Sequence, residues 1–260
     1  MPRRPRIDFA GFHHIVNRGV ARSDVYLCLA DKDTFLEILC KACDDYKVNV
    51  HDYCLMDNHY HILVETTQEN LSLLMRQVNS NYAIYFNKKY DRVGHLWQGR
   101  YKSWYVVNEE YLYTLFRYIE HNPLKAKLVE KVGEYPYTLL APLLNKFLKL
   151  PRCAEHSLLK KELHQEGVLE LLEIALNEDE VLALEKEQKK RIIQVEHEYK
   201  VFELPILEKY FKANMRKSER NKAILLAIKD GYKQAKIAEY LGLSPSAIVK
   251  IKNKNSFFIT

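Results

Sequence analysis

Two histidines separated by one residue, His59 and His61, are the first candidates for chemistry in this chain. They lie in a tract whose pattern predicts a β-strand, in which residues i and i+2 point to the same face. Both imidazoles would therefore project side by side, with Tyr60 on the opposite face. Such a pair can bind one divalent metal ion, but two histidines on a strand also occur on an ordinary solvated face. The spacing alone leaves both interpretations open.

A tyrosine and an asparagine close a predicted helix later in the chain. Tyr118 and Asn122 are four residues apart, so their side chains lie on one helix face. Asn122 could supply an oxygen ligand, and Tyr118 a phenolic nucleophile beside the same metal ion. Together with two imidazoles, one amide oxygen leaves coordination positions open for a substrate phosphate. This mixed nitrogen and oxygen set is suited to Mg²⁺ or Mn²⁺, and the two nitrogens favour manganese.

Other residues compete for these roles. Tyr111 and Tyr113 precede Tyr118 on the same helix, and Tyr111 lies on nearly the same face, but only Tyr118 has the asparagine four residues on. Glu65 shares the strand face of the two histidines and could approach them. His121 adjoins Asn122 but points elsewhere on the helix. Three further histidines are interpreted as strand residues with local hydrogen bonds: His13, His14 and His51.

The elements that position these side chains have the predicted order β-α-β-β-α-β-α. We expect an α+β fold of the ferredoxin-like kind, an antiparallel sheet with helices on one face, followed by an all-α C-terminal region. A two-residue connection, Asp57-Asn58, is expected between the second and third strands. Asp31 and Asn108 are expected to cap helices. The predicted strands cover residues 12–18, 48–56, 59–65 and 101–107, and the helices cover 31–46, 71–86 and 109–122.

Three domains are expected. Residues 1–140 would form the domain that contains the candidate histidines and tyrosine, 141–211 a helical linker region and 212–260 a separate C-terminal domain. Strand patterns are not recognised after about residue 141, where helices are predicted at 143–150, 158–176 and 179–210.

Four motifs together resemble a known family: Asn17-Arg18-Gly19, Met56-Asp57-Asn58-His59-Tyr60-His61, the segment 94–102 and Tyr118-Ile119-Glu120-His121-Asn122-Pro123. The paired histidines look like the signature of HUH nucleases. The combination is similar to the IS200-like tyrosine transposases, and closest to the branch associated with repetitive extragenic palindromes. The resemblance covers roughly residues 8–140. It implies His59, His61 and Asn122 as metal ligands and Tyr118 as the nucleophile.

The resemblance also implies a reaction. Tyr118 would attack a phosphate of single-stranded DNA at a hairpin or palindromic end, giving a 5′-phosphotyrosine and a free 3′-hydroxyl. A phenol with a pKa near 10 needs help at neutral pH, which a nearby metal ion provides. Two rival interpretations are a domesticated, non-catalytic DNA-binding regulator on the same fold and an unrelated metallohydrolase. The second would need a carboxylate ligand that the sequence does not identify.

Basic residues interleaved with aromatic ones suggest contacts with DNA. Arg18 follows the first strand, while Arg100 and Lys102 lie in a segment with Trp97 and Tyr101 that could stack bases and pair phosphates. The same segment also fits an apolar anchor flanked by solvated charges. Arg3, Arg4 and Arg6 could form a phosphate-binding tail or simply be disordered.

The C-terminal segment 234–252 has the pattern of a helix-turn-helix. Gly242 supplies the turn, and Ser244 caps the next helix with Pro245 at its first position. Lys250 and Lys252 would then lie among the DNA contacts of a recognition helix. A plain helical hairpin is the alternative. The domain would add binding of duplex DNA to that of the single-stranded or hairpin substrate.

Composition agrees with a DNA partner without proving one. The 260 residues carry a formal net charge of +6 and a pI of about 8.8. No targeting segment and no membrane-spanning run are recognised. Five unpatterned cysteines are expected to be reduced, Cys40 and Cys43 as buried core thiols, which predicts a cytoplasmic protein. The oligomeric state, monomer or homodimer, stays open.

Overall fold

A computed structural model describes residues 8–165, 167–189, 191–195, 198–202, 207–211, 215–230, 232 and 234–254. It has two compact units, Met1–Gln188 and Lys189–Thr260. Residues 141–188 thus belong to the first unit, while the functional boundaries expected near residues 140 and 212 remain predictions. The predicted basic tail, Arg3, Arg4 and Arg6, lies outside the described residues. None of the described helices is both long and apolar enough to cross a membrane.

The first unit begins with the predicted order of strands and helices. Its seven leading elements are β1 (Gly11–Arg18), α1 (Leu29–Tyr46), β2 (Val48–Met56), β3 (His59–Thr66), α2 (Leu71–Lys89), β4 (Lys102–Tyr105) and α3 (Glu109–Glu120).

The four strands form one antiparallel sheet in the order β2-β3-β1-β4. This order confirms the predicted ferredoxin-like α+β fold. Met56 pairs directly with His59, so the connection of β2 and β3 is the expected two-residue one. The alternation along β3 then sends His59 and His61 to one face and Tyr60 to the other.

Helices cover both faces of this sheet, so the expectation of helices on one face is correct for α1 and α2 but not for α3. Tyr60 is fully buried, and its ring packs against Phe35 of α1 while its hydroxyl donates to Asn79 of α2. The opposite face carries His61, whose ring contacts Tyr118 of α3. Hence α1 and α2 form the main hydrophobic core, and α3 lies over the histidine face.

Side-chain caps set where two of these helices begin. Asn108 caps α3 as expected, because its Oδ1 accepts a hydrogen bond from the Tyr111 backbone N–H at 2.8 Å. The prediction for α1 was wrong by one turn: Cys28, not Asp31, is the residue before the helix. Asp31 instead lies in the first turn, where its carboxylate accepts the backbone N–H groups of Leu27 and Cys28.

After α3 the helices are shorter than predicted. The single helix expected at 158–176 is divided, because Gly167 adopts a left-handed φ of +83°. Residues 145–150 are not helical, so the helix expected at 143–150 is wrong. The observed helices are α4 (Asn122–Lys125), α5 (Leu140–Leu144), α6 (Leu158–Glu162), α7 (Val168–Glu173) and α8 (Glu178–Lys189).

A disulfide connects this helical segment to the core. Cys40 of α1 is bonded to Cys153, 113 residues later in the chain. The expectation of reduced thiols is therefore wrong for these two residues. It holds for Cys43 and Cys54, which are free and buried, and for Cys28, which is free and exposed.

The second unit contains a β-hairpin that was not predicted. Residues 179–210 were expected to form one helix, but α8 is followed by β5 (Arg191–Val195) and β6 (Glu198–Phe202), which pair antiparallel. Ile192, Ile193 and Val195 are β-branched and explain the preference for a strand. The unit ends with α9 (Lys217–Asp230), α10 (Gln234–Tyr240) and α11 (Pro245–Lys254).

Candidate active site

The antiparallel register positions the two histidines at one end of the central strand. His61 pairs with Val16 of β1 and Cys54 of β2, and His59 pairs with Arg18 and Met56. Cross-strand partners share a face, so the Arg18 side chain belongs to the same surface as both imidazoles. The His59 and His61 ring centroids are 5.2 Å apart.

Helix α3 brings Tyr118 to these histidines. The Tyr118 ring lies 5.5 Å from the His61 ring, centroid to centroid, in an edge-to-face arrangement. Tyr118 is half-buried, and so it is open to a ligand from one side. Asn122 begins the next helical turn, and its Nδ2 donates to the Tyr118 carbonyl at 2.8 Å and to the Ile119 carbonyl at 3.2 Å. These bonds fix the Asn122 amide and leave its Oδ1 without a donor from the described part of the chain.

Burial keeps both histidines neutral. It lowers the pKa of His59 to about 4, aided by the nearby Arg18 charge. It lowers the pKa of His61 well below its usual value, with smaller effects from His14, His59 and Arg18. Neutral imidazoles have a free lone pair at pH 7, which is the form that binds metal ions.

The donor set fits a divalent cation, because two neutral imidazoles and an amide oxygen come from adjoining elements. The Nδ1–H of His59 donates to Asn58 Oδ1 at 2.6 Å, which leaves Nε2 of His59 as the free nitrogen. Within the described residues, no three His, Cys, Asp or Glu side chains are grouped to hold a metal ion. Asn122 remains the predicted third ligand.

Charges of both signs surround the tyrosine. Burial raises the pKa of Tyr118, the Glu185 carboxylate raises it further, and Arg18 opposes them. Lys125 Nζ lies 4.9 Å from the centroid of the Tyr118 ring. The sequence analysis missed this lysine, although its position seven residues after Tyr118 places it near the same helix face.

His14 is a second residue that sequence reasoning missed. It is 1% exposed, and its Nε2 lies 3.1 Å from Nδ1 of His61, so its hydrogen bond is not to its own strand but to the site. The sequence did contain a sign of this position, because residues 14, 16 and 18 of a strand lie on one face and His14 therefore shares a face with Arg18. That this face meets the histidine pair depends on the pairing of β1 with β3.

The competing candidates are engaged elsewhere. Glu65 Oε2 pairs with His51 Nε2 at 3.1 Å, which corrects the suggestion that Glu65 approaches the histidine pair. His121 is buried, and its Nε2 donates to the Leu172 carbonyl at 2.7 Å. Tyr113 is exposed and contacts Phe116. Tyr111 lies two turns before Tyr118, roughly 10 Å along the helix axis.

Two buried contacts hold α3 in place. Arg117 makes an ion pair with Glu180 of α8, at 2.6 Å, and donates to the Ile174 and Ala175 carbonyls. On the sheet side, the fully buried Glu120 accepts the Leu140 backbone N–H at 2.8 Å. The tyrosine helix is therefore anchored on both flanks of Tyr118.

The predicted DNA-contacting residues of the first unit lie around this face. The segment before β4 runs beside the end of β1, where the backbone N–H of Gln98 donates to the Arg18 carbonyl. Lys102 is exposed and pairs with Val16, so it shares the histidine face. Arg100 is exposed two residues earlier. Arg18 is the member of this group whose charge acts directly on the histidines.

Lys250 and Lys252 belong to α11 of the second unit. Helices α9, α10 and α11 enclose a small core that includes Ile224, Ile237 and Ile248. Gly242 has a left-handed φ of +63° in the turn, and Ser244 Oγ accepts the Ala247 backbone N–H at 3.3 Å. Lys250 is exposed and Lys252 is half-exposed. The helix-turn-helix assignment and its contacts with DNA remain predictions.

Comparison with known proteins finds similarity in the first unit. Residues 10–122 match the model of the family described as Transposase IS200 like. Two solved structures are similar: a REP-associated tyrosine transposase bound to a REP hairpin, and a protein of Deinococcus radiodurans R1 described as a candidate transposase. The first is 19% identical, with a TM-score of 0.45, over 57% of this chain and 87% of that chain. The second is 18% identical, with a TM-score of 0.34, over 46% of this chain and 97% of that chain.

No curated protein matches the chain. The family model spans the four-stranded sheet, the histidine pair and the tyrosine helix as far as Asn122. Residues 10–122 of this chain thus resemble the IS200-like transposase family, as the four motifs predicted.

Proposed function

We propose that this transposase domain cleaves and rejoins single-stranded DNA at hairpin or palindromic ends, through a 5′-phosphotyrosine on Tyr118. The observation that supports this best is the approach of the Tyr118 ring to His61, at 5.5 Å between centroids. A helix residue that far along the chain meets the strand histidines only because the sheet and α3 pack together. The match to the transposase family supports the same reaction class.

The proposed step exchanges one phosphodiester bond for another. Tyr118 Oη attacks the phosphorus, the Oη–P bond forms, and the P–O3′ bond breaks. The phenol loses its proton, and the departing O3′ takes one up as a hydroxyl. A 3′-hydroxyl later attacks the phosphotyrosine and reverses the exchange, so strand joining needs no ATP.

A divalent ion, Mg²⁺ or Mn²⁺, held by His59, His61 and Asn122 would neutralise charge on the phosphoryl oxygens and favour the phenolate. The chain supplies the rest of the electrostatics. Lys125, close to the Tyr118 ring, is placed to interact with a phosphate at the phenol. Arg18 is placed to bind the neighbouring backbone phosphate, because it pairs with His59 in the sheet.

The partner is proposed to be DNA, bound by both units. Arg18, Arg100 and Lys102 would bind the single strand or hairpin beside the sheet, as in the branch associated with repetitive extragenic palindromes. Lys250 and Lys252 would bind duplex DNA through a helix-turn-helix. With DNA as its substrate, the protein would act in the cytoplasm, as the sequence predicted.

The test is a covalent-adduct assay with the full chain, Mn²⁺ and a labelled hairpin oligonucleotide carrying a single-stranded flank. Wild type should give an adduct that survives denaturant, and Tyr118→Phe should abolish it while binding persists. Tyr113→Phe is the matched control, since Tyr113 is on the same helix but exposed. Binding without cleavage by wild type, across many hairpins, would refute the proposal in favour of a non-catalytic regulator.

A further inference from the structure

A third histidine, His14, lies behind the proposed metal-binding pair. Its ring is nearly parallel to that of His61, with centroids 5.3 Å apart and planes inclined by 17°. The contact includes a hydrogen bond of 3.1 Å between His14 Nε2 and His61 Nδ1. Both side chains are nearly inaccessible, at 1% and 5% exposure. Neither imidazole can exchange this partner for water.

Proton accounting shows what this bond decides. A neutral imidazole carries one proton, so one of the two nitrogens at 3.1 Å donates and the other accepts. If His14 Nε2 is the donor, the proton of His61 must be on Nε2, and that nitrogen cannot bind a cation. If His61 Nδ1 is the donor, Nε2 of His61 has a free lone pair. Only the second arrangement is compatible with a metal site at His61.

His59 shows the same arrangement independently. Its Nδ1–H donates to Asn58 Oδ1, which leaves Nε2 for a ligand. His59 and His61 would then both present Nε2 to the cation. In each ring, a hydrogen bond at Nδ1 would hold the imidazole in place. Such outer partners orient metal-binding histidines and fix their tautomers.

Building on the proposed function, we propose that His14 is a positioning residue whose Nε2 accepts the Nδ1–H of His61 and thereby frees His61 Nε2 for the divalent cation. The surroundings of His14 hold its ring in this orientation. Trp104 lies 5.3 Å away on one side, and the Tyr118 ring meets His14 edge-on at 6.0 Å.

The cost of this arrangement argues against a merely packed side chain. With Nε2 as the acceptor, the His14 proton is on Nδ1, which is buried and has no hydrogen-bond partner among the described residues. An unpaired buried donor is unfavourable, because it has lost its hydrogen bonds to water. An apolar residue of similar volume would avoid that cost, but it could not accept a proton from His61.

The experiment measures Mn²⁺ binding by the full chain without DNA, by electron paramagnetic resonance of the free and bound ion. His14→Leu removes the acceptor, and His14→Gln restores one near the same place. His13→Leu is the matched control, because His13 is equally buried on the opposite face of β1. We expect His14→Leu to weaken Mn²⁺ binding about 10- to 100-fold. We expect a smaller loss for His14→Gln and none for His13→Leu, with circular dichroism confirming that all variants fold.

The number of bound imidazoles separates a positioning residue from a ligand. Electron spin echo modulation should detect two coordinated imidazole nitrogens in wild type and in His14→Gln. Three in wild type, falling to two in His14→Leu, would make His14 a ligand and overturn the proposal. Unchanged Mn²⁺ affinity in His14→Leu would overturn it as well, while leaving Tyr118 chemistry intact in the adduct assay. A wild-type chain that binds no Mn²⁺ would refute the proposed metal site, and this role with it.

Discussion

A buried pair of acids beside the tyrosine helix makes the stability of the protein depend on pH. Asp52 of β2 and Glu120 of α3 are both fully buried and interact through their side chains. None of the described residues donates a hydrogen bond to Asp52 Oδ2 or Glu120 Oε2, and one shared proton would satisfy both. Burial raises the pKa of both groups, that of Glu120 to about 7. The perturbation is Glu120→Gln, which keeps an oxygen for the Leu140 N–H and removes the charge.

The sign follows from proton linkage. The Glu120 pKa is raised in the folded state, so the folded protein binds the proton more tightly than the unfolded chain. This stabilisation is complete below about pH 4.5, the ordinary value, and is lost as the pH rises to about 7. A pKa of about 7 in the folded protein, against 4.5 in the unfolded chain, corresponds to roughly 3 kcal/mol. The buried histidines have lowered pKa values, so their contribution to the free energy of unfolding rises with pH over an overlapping range. The pH dependence of wild type alone would therefore combine both effects.

The assay is therefore a comparison of free energies of unfolding, from urea titrations followed by circular dichroism between pH 5 and 8. Relative to wild type, Glu120→Gln should gain about 2–3 kcal/mol across this range. Glu130→Gln, at an exposed position, is the control and should follow wild type. If the free energies of unfolding of wild type and Glu120→Gln changed with pH in parallel, within about 0.5 kcal/mol, the pKa of Glu120 would not be raised in the folded protein.

Three more changes test other parts of the structure. Lys125→Gln should slow adduct formation at least about tenfold, because it removes the ammonium near the Tyr118 ring. The control is Lys127→Gln, at an exposed position nearby, which should react at the wild-type rate. Equal rates for Lys125→Gln and wild type would contradict this role. Cys40→Ala should lower the free energy of unfolding by about 2–4 kcal/mol under oxidising conditions, since the bond to Cys153 closes a loop of 113 residues. Dithiothreitol should then destabilise wild type but not the variant; an equal effect on both would refute the assignment. Lys250→Gln should weaken binding to duplex DNA and reduce its salt dependence by about one ion, as filter binding at several salt concentrations would measure.

Local patterns were sufficient to predict most of the first unit. The alternation around His59 and the helical stripe of α2 depend on residues close in sequence, which is why those elements are where they were expected. The spacing of Tyr118 and Asn122 likewise predicted that they lie close together, and the structure joins the Asn122 amide to the Tyr118 carbonyl and brings the Tyr118 ring to His61.

The features that the sequence did not predict mostly depend on contacts between segments far apart in the chain. His14 reaches His61 only through the register of β1 with β3, which no local pattern records. The Cys40–Cys153 bond joins segments 113 residues apart, so spacing within α1 gave no sign of it. The hairpin starting at Arg191 was missed for another reason. The highly charged end of α8 has a helical pattern, and a short run of β-branched residues follows it directly. A run of that length fits a helix or a strand equally well, so its pattern did not reveal the strand.

The central claim is that two strand histidines and the tyrosine helix form one metal-dependent site. Its most direct measurement is anomalous diffraction at the manganese edge, from crystals of the full chain grown with Mn²⁺. The account predicts a single strong peak within about 2.3 Å of the ring nitrogens of His59 and His61 and of Asn122 Oδ1, beside the Tyr118 hydroxyl. A peak bound elsewhere, with these side chains free of metal, would contradict it.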